Sequence, residues 1–221
     1  MLTRFAMVFF IMALASIMLM FSSTEQKGLC KTQAELTASQ IASSINQILV
    51  SPSEDERKVI PLISALSVGE KDRQRYVVNI TKRTGSSPGT SGSDLNTLVV
   101  SVGAEYKECI AAQSVGLSNI APGNVAFQTR DTALSDHTYS EKFGTATYEG
   151  LQLTPSNPKD RTSYLIIVKC KEKKFGGQTF LYLQNCNYVS GAGGVTSVDQ
   201  ASCLQLDATG SGNPGSNCGY T

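Results

Sequence analysis

Hydrophobic positions divide this chain into an apolar helical start and a long alternating remainder. Residues 5–21 form an unbroken apolar run, FAMVFFIMALASIMLMF, with no charge after Arg4. A second stretch follows with apolar residues at Ala34, Ala38, Ile41, Ile45 and Ile48. That 4-3-4-3 spacing draws one continuous stripe along a helix. Pro52 marks its stop, because proline disfavours helix at the residue before it. Gly28 is a weak point, costing about 1 kcal/mol relative to alanine in a helix interior. The pattern predicts a helical stalk over residues 1–52 and a globular head over 53–221. The fold class expected is α+β: a long N-terminal hydrophobic helix followed by an all-β head, an antiparallel sheet or sandwich held by disulfides.

Within the head, residues 53–56 have capping-box spacing and suggest a short turn of helix. Residues 58–68 are apolar enough for a strand, with Pro61 placing it at an edge or near its start. Residues 75–82 alternate Tyr76, Val78 and Ile80 against Val77, Asn79 and Thr81, as a half-buried strand does. Residues 95–102 and 105–111 read as a hairpin turning at Gly103, and residues 125–129 as one further strand. Residues 143–153 alternate as a single strand, with Gly150 a candidate bulge. The clearest hairpin joins 163–171 to 178–186 through Gly176-Gly177. A turn centred there sets Cys170 opposite roughly Leu183, three residues short of Cys186. From residue 190 onward the chain is rich in Gly, Ser, Asn and Pro, so only cysteines could hold it down.

Composition adds constraints on chemistry and location. Nineteen Lys and Arg balance 18 Asp and Glu, and a net charge of +1 leaves no electrostatic footprint for nucleic acid. About 170 of the 221 residues lie beyond the stalk, enough for one well-cored domain. The lone His137 has neither a nucleophile beside it nor cysteines at metal-ligand spacing, and no glycine-rich phosphate loop follows a strand. No enzyme, cofactor or metal site is expected. Lys169, Lys171, Lys173 and Lys174 read as lysines guarding a strand edge. Asn79-Ile80-Thr81 is a glycosylation sequon, making Asn79 the candidate acceptor and agreeing with a location outside the cell.

The opening run is long for the core of a signal peptide, and it carries large Leu19, Met20 and Phe21 where cleavage needs small residues. As a membrane anchor it is at the short end of what spans a bilayer, with Arg4 holding the N-terminus inside. A cleaved signal peptide does not explain why a second apolar stripe continues the first, and an anchor explains it only as packing against the head. Packing against copies of itself accounts for the continuation.

At this point the chain resembles the type IV pilin superfamily, particularly archaeal pilin-like proteins. The resemblance rests on an N-terminal apolar helix, its amphipathic continuation, and a β-rich head with a cysteine-bounded loop near the C-terminus. Residues 48–62 are also similar to helix-to-strand junctions in such proteins. The chain departs from the bacterial members in two places. Phe5 stands where they carry a glutamate, and no basic leader ending in glycine precedes the run. The resemblance implies a structural subunit of an extracellular filament, active in surface adhesion or motility. Such a subunit is inserted in the membrane before assembly, and its partners are copies of itself and the pilus assembly machinery. The assembly helix would present Phe5, Val8, Phe9, Ile11, Ala13, Ala15, Ser16, Ala34, Ala38, Ile41, Ile45 and Ile48, with the small residues allowing close approach. The alternative is a monomeric membrane-anchored or secreted surface domain that binds a ligand through its loops.

Six cysteines, at 30, 109, 170, 186, 203 and 218, imply an oxidising compartment. Composition favours a Cys203–Cys218 bond, since residues 204–217 cannot bury enough to order themselves. Six cysteines allow 15 complete pairings, Cys186 with Cys203 among them, and the partners of Cys30, Cys109, Cys170 and Cys186 stay open. In pilins a similar C-terminal loop lies on the filament surface, so the resemblance implies an exposed contact region there.

Overall fold

The computed structural model describes residues 2–67, 73–84, 96–104, 109–129, 138–143, 146–156, 162–172 and 176–187. One helix, α1 (Leu2–Val50), precedes eleven strands among these residues. They are β1 (Glu56–Pro61), β2 (Leu66–Ser67), β3 (Arg73–Gln74), β4 (Tyr76–Thr84), β5 (Thr97–Ala104), β6 (Ile110–Gly116), β7 (Val125–Thr129), β8 (Thr138–Phe143), β9 (Ala146–Leu153), β10 (Thr162–Glu172) and β11 (Gln178–Asn187). Four of them form one sheet in the order β1-β10-β11-β7, and five form a second in the order β6-β5-β4-β9-β8. A β2-β3 pair stands apart. Pairing is antiparallel except between β11 and β7.

The two sheets face each other through alternate side chains. Val78, Ile80, Leu98, Val100, Val102, Leu151 and Leu153 point inward from the five-stranded sheet, and Leu165, Ile167, Leu181 and Leu183 from the four-stranded one. The sheets approach each other where β7 and β11 meet β9. On the opposite side, α1 packs on β5 and β6 of one sheet and on β1 and β10 of the other. The C-terminal part of α1 therefore fills the space between two splayed sheets. Ala34, Ala38, Ile41, Ile45 and Ile48 all belong to the same buried cluster as Val100 and Leu165. Each of the three isoleucines contributes about 2 kcal/mol by leaving water. Near the other margin, Lys82 is only 3% exposed. Its Nζ pairs with Glu149 on the neighbouring strand at 2.8 Å and donates to the Val125 carbonyl of the facing sheet at 3.2 Å.

The expected fold class needs correction. The described chain is mostly β, in several sheets, and among the described residues no helix is long and apolar enough to cross a membrane. The expected hydrophobic stalk set apart from an all-β head is not found. Past residue 21 the helix turns polar, and from Cys30 it is a half-buried element of the head itself. The boundary drawn at residue 52 accordingly does not separate two cores. The helix also runs unbroken through Gly28, whose cost is too small to interrupt an element anchored downstream.

Smaller corrections concern the strands. Residues 53–56 make no helical turn; Asp55 Oδ1 instead accepts from the Lys171 amide at 3.1 Å, and Lys171 Nζ pairs with Glu54 at 2.5 Å. The expected strand over 58–68 is two, β1 and β2, with Pro61 ending the first. The β5–β6 ladder runs past Gly103, which pairs with Ile110. Residues 143–153 are not one strand: β8 ends at Phe143 and pairs with β9. Gly150 makes no bulge, since the β4–β9 and β8–β9 registers run through it without a shift. The β10–β11 hairpin does turn at Gly176 and Gly177, both at positive φ, 69° and 77°, a conformation glycine adopts without a Cβ penalty. Its register sets Cys170 opposite Phe180 rather than Leu183.

Candidate assembly surface

Burial along α1 changes at one residue. Every described side chain between Phe10 and Leu29 is exposed, and Cys30 is the first buried one. The exposed set includes Phe10 at 64% and Met18 at 73%, together with Ile11, Met12, Leu14, Ile17 and Met20. These residues point in all directions around the helix, so the segment from Phe10 to Met18 has no polar face to offer water. Ala13, Ala15 and Ser16 are exposed on the same segment. Ser16 Oγ donates to the Met12 carbonyl at 2.9 Å, which satisfies the hydroxyl within the helix. Phe5, Val8 and Phe9 lie in α1, but their side chains are outside the described residues.

Two devices hold the other half in the head. At the point where burial begins, Cys30 is bonded to Cys109, just ahead of β6. The bond lies buried against Ala104. At the far end, Lys169 reaches from β10 to the helix terminus, and its Nζ donates to the Ser51 carbonyl at 2.6 Å and to the Leu49 carbonyl at 3.5 Å. The last carbonyls of a helix have no partner within it, and a cation there also opposes the helix dipole. Lys169 is therefore buried, not the edge-guarding surface lysine expected from its neighbours. Along the helix, Gln33 Oε1 accepts from the Ser67 amide and Gln47 Oε1 from Lys58 Nζ, both at 2.5 Å.

These placements split the expected assembly helix. Ile11, Ala13, Ala15 and Ser16 are exposed and free to meet a partner. Ala34, Ala38, Ile41, Ile45 and Ile48 are buried by the chain's own sheets, so they are corrected from an intermolecular face to a core. The stripe is genuine, but its partner is β-sheet and not a second helix.

Asn79 lies on β4, the central strand of the five-stranded sheet, on the face opposite Val78 and Ile80. Its Oδ1 accepts from Gln152 Nε2 at 3.2 Å. The sequon hydroxyl of Thr81 shares a 2.5 Å hydrogen bond with Tyr139. Folding thus occupies both sequon side chains. Cys203, Cys218 and His137 lie outside the described residues, as do Lys173 and Lys174. Among the described residues, no group of three or more His, Cys, Asp or Glu could hold a metal ion.

Two features of this surface were absent from the sequence reading. Cys30 stands four residues before Ala34, in register with the stripe, and that spacing was available as a signal. Lys169 had none, because only the antiparallel pairing of β1 with β10 brings it to the helix end. No protein-family model, curated protein or solved structure matches this chain.

Proposed function

We propose that this protein is the structural subunit of an extracellular filament, built as type IV pilins are. One observation carries the reading: the described side chains of α1 from Phe10 to Met18 are apolar on every side, Ser16 alone carrying a hydroxyl, and all of them are exposed. Exposed apolar area of that extent is unfavourable in water at about 25 cal/mol per Å². Copies of the same segment are the cover to which the reading commits. Ala13, Ala15 and Ser16 allow helices to approach closely, and the head, attached through the lower half of the helix, stays clear of the contact. Assembly then buries the upper helices at the centre and leaves the heads outside. The Cys30–Cys109 bond supports a location outside a reducing cytosol.

The test is electron microscopy and sedimentation of the purified full-length chain beside its Leu14→Glu and Ile17→Glu variants. Filaments of one polypeptide are expected from the parent, and folded, non-polymerising heads from both variants. Monodisperse parent protein at all concentrations, or a parent that associates only with vesicles, would favour the anchored surface domain instead.

A further inference from the structure

Four strands stand at the margins of the two larger sheets: β1 and β7 in one, β6 and β8 in the other. A marginal strand presents unpaired N–H and C=O groups to any extended chain, and proteins guard such strands with charges, prolines, bulges or a cover. β1 carries Glu56, Arg57, Lys58 and Pro61, and β8 carries Glu141 and Lys142. β7 has only five residues, and its Val125 carbonyl is taken by Lys82. β6 has none of these guards. Its sequence, IAAQSVG, holds no charge and no proline, and its register on β5 runs from Ile110 to Gly116 without a shift.

The ladder fixes which groups of β6 face outward. The Ala104 amide donates to the Cys109 carbonyl at 3.0 Å, and the Leu117 amide donates to the Asn96 carbonyl at 2.9 Å. Hydrogen-bonded pairs alternate along an antiparallel ladder, so between those two bonds it is Ala111, Gln113 and Val115 that bond to β5. The N–H and C=O groups of Ile110, Ala112, Ser114 and Gly116 point the other way. All four residues are exposed, and a Cβ on Gly116 would meet only open space. Among the described residues they make no backbone hydrogen bond across that margin. α1 packs on the inward side of β6, where Ala111 and Val115 share the core with Ala34 and Ala38, and it leaves the margin open.

We infer, resting on the filament reading above, that β6 is a second contact of the assembly, where an extended strand of a second copy of this chain pairs with its open margin. The position of the strand points to a copy. Cys109, one residue before β6, is bonded to Cys30, where α1 leaves the head, with Cα atoms 5.6 Å apart. Leu29 and Ile110, the neighbours of those cysteines, are 51% and 58% exposed. Exposed apolar surface therefore continues from the helix onto the start of the strand, and copies joined through their upper helices meet beside it. Charge points the same way. α1 from Leu36 to Val50, β5 and β6 hold no charged residue, in a chain with 19 Lys and Arg and 18 Asp and Glu. The buried core of a protein–protein contact is depleted of charge in this manner. Joined helices raise the effective concentration of neighbouring heads to about the millimolar range. That suffices for a strand pairing too weak to hold two free heads together.

Amide hydrogen exchange resolved by residue tests it, on filaments of the full-length chain and on the folded Ile17→Glu variant as the monomer. In the monomer the Ala111, Gln113 and Val115 amides should exchange slowly, and those of Ile110, Ala112, Ser114 and Gly116 roughly 100-fold faster. In the filament the same four should slow to match their neighbours. Four amides that stay fast in a filament would overturn the pairing and leave the filament reading in place. Four that are already slow in the monomer would overturn it too, because the margin would then be covered within one chain. A parent that forms no filament would overturn both. The double variant Ala112→Lys/Ser114→Lys gives an independent readout, since it places charge on exposed positions of the margin. With head folding checked by circular dichroism, it should need a roughly tenfold higher concentration to polymerise. Polymerisation at the parent's concentration would contradict the contact.

Discussion

The Lys169 ammonium donates to the Ser51 carbonyl across 118 residues of sequence, and this bond fixes where α1 ends against the four-stranded sheet. With Cys30–Cys109 at the other end of the buried half, it defines a helix held at two points by the head and projecting beyond it.

Lys169→Met keeps the apolar stem but removes the cap. Hydrogen bonds from charged groups and helix-end charges together contribute about 2 kcal/mol in partly buried sites. A lower urea midpoint with an unchanged denaturant slope is expected for the variant, and helix content by circular dichroism should be retained. Unaltered stability would show that the cap is dispensable.

Cutting the staple acts differently. Cys30→Ala/Cys109→Ala opens a loop with a sequence separation of 79, for which the chain-entropy estimate is about 4 kcal/mol. The double variant should unfold at markedly lower denaturant. Because the ladder of β5 and β6 remains, the loss should appear as one cooperative transition at a lower midpoint.

Gly150 has a specific steric reason to be glycine. Tyr139 lies over it, and a Cβ there would also come within 2.6 Å of the Ile80 carbonyl oxygen. Gly150→Ala should destabilise by about 1–3 kcal/mol, as overpacking does. Combining it with Tyr139→Ala should relieve only part of that cost, because the carbonyl stays. A double-mutant cycle by chemical denaturation measures the coupling, and strictly additive effects would remove Tyr139 from the explanation.

Two glutamate substitutions on α1 separate folding from association. Ile45 is fully buried in the head, so Ile45→Glu should unfold it, costing several kcal/mol through an unpaired buried charge. Ile17 is half exposed, and Ile17→Glu should leave the thermal midpoint of the head unchanged. Equal destabilisation by both changes would mean that the upper helix contacts the head.

Much of this architecture was readable from pattern. The stripe at Ala34, Ala38, Ile41, Ile45 and Ile48 gives the helix and its buried face, because a helix has one period and a continuous apolar row must be covered. The pattern does not say by what, and here the cover is β-sheet from the same chain. Strand alternation and the Gly176-Gly177 turn located β4, β10 and β11 closely. The β8–β9 boundary was missed because residues 143–153 alternate without an evident stop. Neither the roles of Lys169 and Lys82 nor the Cys30–Cys109 bond has a local signal, since each depends on contacts between distant strands. For the candidate site, hydrophobicity marked the upper helix, whereas the division at Cys30 had only the register of that cysteine with the stripe as its signal.

The central claim is that the upper half of α1 is an intermolecular surface and the lower half an intramolecular core. Sedimentation of full-length protein beside Ile17→Glu, at matched concentration and with head folding checked by circular dichroism, tests it most directly. The account predicts large polymers for the parent and a folded monomer for the variant. Polymers of equal size from both, or a folded monomeric parent, would contradict it.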